Sequence, residues 1–471
     1  MDDKYLFQSL ASSISEASET EILINQTSTD KTQPQTTNQQ PAPQSLLPPQ
    51  TSPLLSQTTP PTLTNPKSKP KPKAQGQLLM EIIAISGEYP ASNIPRIIPA
   101  LNYGKKLVSA LIGDRLIKLV SSGGLRGYRL TPKGKKKLLT NNPERFSGFL
   151  DGTVETNKVR SGYERRLRLR SIAEVCAIMH NVGIEIFQDT KPKIYQFEAQ
   201  PQPKPKPIQS PIALATNFTQ SRPKPTQTIS PKKTLPQITS SSFYLSREQK
   251  NQSSNAIRGS RAIGTLLTST DVYAIYNTGS IESKWVIAVE GRYKAEIHHH
   301  ICRNLLYHQY KGKVAGGIMI GDGFDVLGKY LIPKEKRSTG FDFLYGTYHP
   351  FYYITNDSHG ENQLKILCDS TKISKLNSAL SRNYLPKDPK HPIEHDAITQ
   401  NGNPVLFCCL LDIPRLIQFH NGLAFNDMSG VVIALDFQLD MLKRYLGEDK
   451  AHFVSLGLDK IMDWLFSEDK T

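Results

Sequence analysis

The sequence predicts a multidomain protein in which an N-terminal α+β segment is followed by a C-terminal α/β domain with a mixed sheet. Residues 26–75 and 199–240 are rich in Pro, Gln, Thr and Lys and poor in large apolar side chains. Between these stretches the apolar pattern changes from helical to strand period and back again. After residue 241, strand-like and helix-like patterns alternate, which is typical of a sheet covered by helices. Strands are predicted over residues 271–277, 284–290, 316–321, 351–354, 404–411 and 431–435, and helices over 295–310, 439–446 and 458–466. A chain of 471 residues is also long enough for two or three domains.

The domain boundaries follow these shifts in composition. Residues 1–75 are expected to form a disordered arm, because they offer too little apolar surface to offset the entropy of ordering. Its first 25 residues leave open a short helix or a frayed end. Residues 197–240 are expected to form a linker, since proline at alternate positions favours extended polyproline II structure. The globular parts are then residues 76–196 and 241–471.

The positive charge lies in the first half of the chain. The formal net charge is +16, and residues 1–240 hold 32 Lys and Arg against 17 Asp and Glu. Residues 241–471 hold 26 against 25 and are close to neutral. An acidic partner is therefore expected to meet the first half.

Several classes of protein are excluded by the sequence. No apolar stretch approaches the roughly 18 to 20 residues that a membrane-spanning helix needs. The N-terminus lacks the basic and apolar regions of a secretory signal. The five cysteines show neither a metal-ligand spacing nor the even number of a disulfide framework. These features predict a cytoplasmic protein with reduced thiols and no membrane partner.

Three helices are predicted at the start of the basic segment. They cover residues 77–86, a short stretch that begins after Ser92 or Asn93, and residues 103–114. In the third, apolar side chains repeat on one face, which predicts a buried stripe and a basic outer face. The buried stripe comprises Leu107, Val108, Leu111 and Ile112.

A hairpin and a fourth helix follow. Residues 115–120 and 128–130 have strand character, and the Gly- and Ser-rich residues 121–127 supply a turn with arginine near its tip. The next helix begins with Thr131 as N-cap and Pro132 at its first position, where the missing N–H is harmless.

The order helix, helix, helix, hairpin, helix resembles the winged helix-turn-helix domains of bacterial transcription and plasmid replication proteins. The resemblance is based on the sequence motifs GDRLIKL at 113–119 and YRLTPKG at 128–134, and it covers about residues 77–140. It implies that the third helix enters the major groove of double-stranded DNA and that the wing contacts the backbone or minor groove. The residues implied as DNA contacts are Tyr103, Lys105, Lys106 and Ser109 on the helix, and Arg126 and Arg129 in the wing.

Charge leads to the same interpretation. Residues 76–170 hold 18 Lys and Arg against 7 Asp and Glu. Basic side chains neutralise phosphates and release counterions, so binding is expected to weaken steeply with salt. The helix after the wing is expected to hold the DNA backbone through Lys133, Lys135, Lys136 and Lys137. The alternative is a winged helix used for protein contacts, with a basic face that is only solvated.

A long helix over residues 163–179, ending near Gly183, carries arginines in its first turns and apolar residues in its last. Arg165 and Arg166 are candidates for a clamp on DNA phosphates. The alternative is a packing or dimerisation helix, and the protein is then a candidate homodimer.

The C-terminal domain offers the residue types of a metal-dependent nuclease. Carboxylates at Glu290, Asp322 and Asp325 would hold Mg²⁺, and Lys294 would orient the nucleophile. However, a strand would hold Glu290 and Lys294 about 13 Å apart, which favours a domain without catalysis over a nuclease but leaves both open, and no cofactor is expected. Mg²⁺ belongs only to the nuclease alternative.

The complete layout is similar to that of plasmid replication-relaxation proteins. The sequence therefore predicts a double-stranded DNA-binding protein that acts in replication, transfer or transcriptional control of a plasmid or mobile element. The C-terminal domain would oligomerise or bind a protein partner. The alternatives are a metal-dependent nuclease delivered by the winged helix, and a protein-interaction scaffold.

Overall fold

Short helices and one hairpin form the segment that precedes residue 192. A computed structural model describes residues 72–151, 156, 162–192, 240–249, 262–279, 299–300, 302–303, 314–332 and 346–467. The first elements are α1 (Pro72–Ser86), β1 (Tyr89–Pro90), α2 (Ile94–Ile97), α3 (Leu101–Gly113), β2 (Ile117–Ser122), β3 (Leu125–Leu130), α4 (Pro132–Asn141), α5 (Pro143–Leu150) and α6 (Tyr163–Val182).

The caps of these helices confirm the predictions made from local sequence. The hydroxyl of Thr131 accepts a hydrogen bond from the backbone N–H of Gly134 at 3.2 Å, and Pro132 opens α4. Gly183 ends α6 in the left-handed conformation, with φ of 88°. Two elements were not predicted: the short strand β1 and helix α5. The prediction that Ile112 belongs to the buried stripe of α3 was wrong, because this side chain is 39% exposed.

The hairpin closes through a tight turn. Gly123 and Gly124 have φ of 57° and 76°, values that glycine adopts without strain. β3 lies between β2 and β1, and both pairings are antiparallel. The turn is therefore shorter than the predicted turn over residues 121–127.

Two five-stranded mixed sheets follow. The first has the order β4-β5-β6-β7-β8 and the second has the order β13-β12-β11-β10-β9. In each, two antiparallel pairs adjoin two parallel pairs. The first sheet comprises β4 (Ser242–Leu245), β5 (Gly264–Leu267), β6 (Asp271–Gly279), β7 (Val314–Gly321) and β8 (Phe351–Thr355). The second comprises β9 (Leu385–Pro386), β10 (Ala397–Ile398), β11 (Pro404–Phe407), β12 (Gly430–Leu435) and β13 (Ala451–Leu456).

Helices cover these sheets. They are α7 (Phe324–Leu331), α8 (Ser358–Leu367), α9 (Ser370–Leu380), α10 (Ile413–Asn426), α11 (Leu439–Leu446) and α12 (Leu458–Leu465). Helices alternating with mixed sheets agree with the predicted α/β character of this part. Within the described residues, no helix is both long enough and apolar enough to cross a membrane.

The two faces of the first sheet belong to different hydrophobic cores. Successive side chains of a strand point to opposite faces. Tyr273 and Ile275 accordingly join the core that includes α1 and α6, whereas Val272 and Ala274 join the core that includes the second sheet. The basic segment and the first sheet therefore share one core, and residues Gly76–Thr471 form a single compact unit.

Several predictions fall outside the described residues. These are the arm up to residue 71, the linker over 197–239, and the strand expected over 284–290. Within the helix expected over 295–310, residues 299, 300, 302 and 303 are described and are helical.

Candidate nucleic-acid interface

Helix α3 presents one polar face to solvent. Asn102, Lys105, Lys106 and Ser109 are all exposed, and they recur at the spacing that joins one face of a helix. The opposite face is buried through Gly104, Val108 and Leu111. Burial of that stripe fixes the rotation of the helix, so the two lysines are held outward.

The hairpin separates its two arginines. Positions three apart in a strand point to opposite faces of the sheet. Arg126 is exposed beside the turn, whereas Arg129 is only 1% exposed. The predicted DNA contact by Arg129 is therefore wrong.

Arg129 belongs instead to a buried ionic cluster, which we call the Glu88 cluster and which comprises Glu88, Arg129 and Arg166. Arg129 Nη2 lies 2.7 Å from Glu88 Oε2, and Arg166 Nη2 lies 2.8 Å from Glu88 Oε1. Glu88 is completely buried in the loop between α1 and β1. Gly127 lies directly beneath it, because a Cβ at that position would collide with the Glu88 carboxylate.

The guanidinium of Arg166 also donates to backbone oxygens of the hairpin, which offset the remaining positive charge of the cluster. It donates to the carbonyl of Ser122 at 2.8 Å and to those of Val120 and Leu125 at 3.0 Å. The prediction that Arg166 clamps DNA phosphates is therefore wrong. Adjacent helical residues diverge by about 100°, so the neighbouring Arg165 is exposed while Arg166 is buried.

Helix α6 consequently supports the hairpin. Besides Arg166, Arg170 Nη1 donates to the carbonyl of Arg126 at 2.7 Å. Because these bonds hold the hairpin against a long helix, the hairpin is fixed relative to the core. Packing, one of the two alternatives left open for this helix, is what the structure shows.

Helix α4 adds further cations next to the hairpin. Lys133, Lys136 and Lys137 are exposed, and Lys135 is half-buried. Lys133 donates to the carbonyl of Asp114 at the end of α3, at 3.0 Å. This bond links the first turn of α4 to the C-terminal end of α3.

One predicted contact residue is less exposed than expected, and three exposed residues were not predicted as contacts. Tyr103 is half-buried and packs against the core, so only part of its side chain is accessible. Asn102, Arg115 and Tyr163 are exposed although none was named as a contact. The helical spacing of Asn102 to Lys105, Lys106 and Ser109 is the signal that would have identified it.

The helices of the basic segment are anchored to the C-terminal ends of parallel strands β6 to β8. Glu174 of α6 accepts from Asn93 at 3.2 Å and from Asn277, at the end of β6, at 3.0 Å. Arg96 of α2 pairs with Glu361 of α8 at 2.5 Å and also donates to Asn356 after β8. These contacts fix α2, and with it the start of α3, on the sheet.

Burial and, to a smaller extent, the nearby Asp322 carboxylate together raise the pKa of Glu174 to about 7, against the opposing effects of Asn277, Arg170 and Arg96. A carboxyl group whose pKa is raised in the folded protein stabilises the fold at pH values below its unfolded pKa of about 4.3. That contribution is lost as the pH rises through about 7. We therefore expect Glu174 to lower the thermal unfolding temperature between pH 5 and pH 8, against the opposite effect of His180, His299 and His420, whose pKa values burial lowers.

Glu174→Gln should remove this part of the pH dependence, because the amide does not titrate. The comparison must be made between variants, since burial also raises the pKa of Asp412, to about 6, and Asp412 titrates in both. The control is Glu164→Gln on the exposed first turn of α6. Equal slopes for the wild type and Glu174→Gln would show that Glu174 does not titrate in this range.

The candidate nuclease residues are only partly described. Glu290 and Lys294 lie outside the described residues. Asp322 accepts from Asn356 at 2.9 Å, while Asp325 pairs with Arg444 at 3.2 Å. Among the residues that the structure describes, no group of three or more His, Cys, Asp or Glu side chains is arranged to hold a metal ion.

Comparisons with protein families, with curated proteins and with solved structures found no match to this chain. The functional interpretation therefore depends on the geometry of its own residues.

Proposed function

We propose that this protein binds double-stranded DNA through a winged helix formed by α1 to α4 and the hairpin. Helix α3 would lie in the major groove and the hairpin would act as the wing. The observation that carries the proposal is the exposed face of α3, where Lys105 and Lys106 lie opposite a buried stripe that prevents the helix from rotating.

Three groups of exposed polar residues would share the contacts. On α3, Asn102 and Ser109 would approach base edges, and the two lysines would contact bases or phosphates. Arg126 would act from the wing tip. Lys133, Lys136 and Lys137 of α4 would hold the backbone, since lysine binds phosphate as a mobile point charge.

The hydrogen bonds of Arg166 favour a wing that is held in one position before DNA binds. Seven hydrogen bonds join Arg166 and Arg170 to the hairpin or to Glu88, and the guanidinium of Arg166 is buried away from any DNA. A wing held in this way would lose little conformational freedom on binding. The biological setting that we propose is replication, transfer or transcriptional control of a plasmid or mobile element.

The proposal is tested by titrating the full-length protein into a fluorescent 20-base-pair duplex at 50 and 200 mM salt. Six phosphate contacts would weaken binding by roughly a thousandfold over this range. Lys105→Ala with Lys106→Ala should make the slope of log affinity against log salt shallower by about 2, because two contacts are removed. Absence of binding at 50 mM salt would refute the proposed function.

A further inference from the structure

Large exposed apolar side chains are concentrated at the proposed interface. Among the described residues seven are well exposed, and four of these lie on α3, on β2 or at the start of α6. The four are Leu101, Ile112, Leu119 and Tyr163. Apolar groups interleaved with cations suit a partner that offers both phosphates and aromatic rings.

Among these four side chains, Tyr163 is the one that lies against the turn of the hairpin. It is the first residue of α6 and is 53% exposed. Its ring lies against the wing turn, 3.2 Å from the position that a Cβ would take at Gly123. Neither glycine of the turn has a side chain, so the tyrosine ring lies directly against the backbone of the turn.

The tyrosine and the wing are held together. Arg166, one turn along α6 from Tyr163, donates to the carbonyls of Val120, Ser122 and Leu125. The start of α6, which carries Tyr163, therefore keeps its position relative to the wing, and this reduces the entropy lost on binding.

The chemistry of the Tyr163 ring favours a base over a phosphate as its partner. The ring carries no charge, and the exposed neighbours Glu164 and Arg165 carry opposite charges that offset each other. An aromatic ring stacks on the face of any base. In a continuous duplex those faces are covered by neighbouring bases, so the ring requires an unstacked base.

We propose that Tyr163 stacks on an unpaired base, so that the protein prefers duplex DNA containing a mismatched step over continuous duplex. This inference rests on the proposed function, because the lysines of α3 and α4 must first bring the duplex to the wing.

The experiment compares two fluorescent duplexes of equal length, one continuous and one with a central two-nucleotide mismatch. The wild-type protein should bind the mismatched duplex roughly five- to a hundredfold more tightly, the range expected for one stacked base. Tyr163→Ala should remove this preference while changing the affinity for continuous duplex less than about twofold. Tyr163→Phe should keep the preference, because the ring remains.

Phe425→Ala provides the matched control, since Phe425 is an aromatic residue on α10 that is 90% exposed. This variant should retain the preference. Equal affinity of the wild type for both duplexes, or a preference that persists in Tyr163→Ala, would overturn the inference and leave the proposed function intact. Loss of both duplexes by Tyr163→Ala would overturn it as well, because the ring would then support the wing. No binding of either duplex by the wild type would instead refute the proposed function.

Discussion

Glu88→Gln should lower the free energy of unfolding by about 3–5 kcal/mol, the cost of leaving a buried ion pair without its partner. The glutamine has nearly the same shape but removes the negative charge between two buried guanidinium groups. Arg129 is 1% and Arg166 is 3% exposed, so water cannot replace the lost carboxylate. Urea unfolding of the full-length protein, followed by circular dichroism, measures the effect.

The control replaces the whole Glu88 cluster by Glu88→Leu, Arg129→Met and Arg166→Met. Apolar groups of similar volume often restore the stability of a buried ionic cluster. Recovery should be partial, because Val120, Ser122 and Leu125 lose the donor to their carbonyls. A single Glu88→Gln variant as stable as the wild type would contradict the burial described for this cluster.

Lys105→Glu combined with Lys106→Glu should weaken duplex binding by a hundredfold or more at 0.1 M salt. Each lost phosphate contact accounts for roughly tenfold through counterion release, and the new carboxylates also repel the backbone. Both side chains are exposed, so the stability of the fold should change by less than about 0.5 kcal/mol. Fluorescence anisotropy with a 20-base-pair duplex measures the affinity.

A control variant with the same change in net charge, placed in the C-terminal part of the chain, distinguishes the effect of local contacts from the effect of overall charge. Lys390→Glu with Lys460→Glu alters two exposed lysines in the C-terminal part. This control should bind duplex within a few-fold of the wild type. Equal losses in both double variants would show that net charge alone governs binding, and would contradict a defined interface on α3.

Local signals in the sequence predicted the elements around the interface. Thr131 and Pro132 fixed the start of α4, and Gly183 fixed the end of α6. Alternating side chains predicted both strands of the hairpin, although its turn is only two glycines long. These features depend on a few neighbouring residues, so they can be read without knowledge of the fold.

The roles of individual arginines depended on distant residues. Strand alternation alone would have shown that Arg126 and Arg129 face opposite ways, but which face is covered depends on Glu88 and Arg166. These two lie 41 residues before Arg129 and 37 after it, and no local pattern connects them. Arg129 and Arg166 were therefore predicted to contact DNA, although both form ion pairs with the buried carboxylate of Glu88.

The C-terminal part was predicted in outline only. Apolar runs predicted β6, β7, β8 and β12, and the amphipathic pattern predicted α11. Strands β9 and β10 have two residues each, too short for a periodic signal. The anchoring of α6 to β6 through Glu174 and Asn277 also escaped prediction, since it joins residues 103 positions apart.

Lysine protection by DNA tests the central claim most directly. The full-length protein is acetylated with an amine-reactive reagent, with and without a 20-base-pair duplex at low salt, and each lysine is quantified by mass spectrometry. The exposed lysines of α3 and α4, Lys105, Lys106, Lys136 and Lys137, should be protected several-fold, while Lys390 and Lys460 react equally in both samples. Protection that is uniform along the chain, or that spares Lys105 and Lys106, would contradict the account.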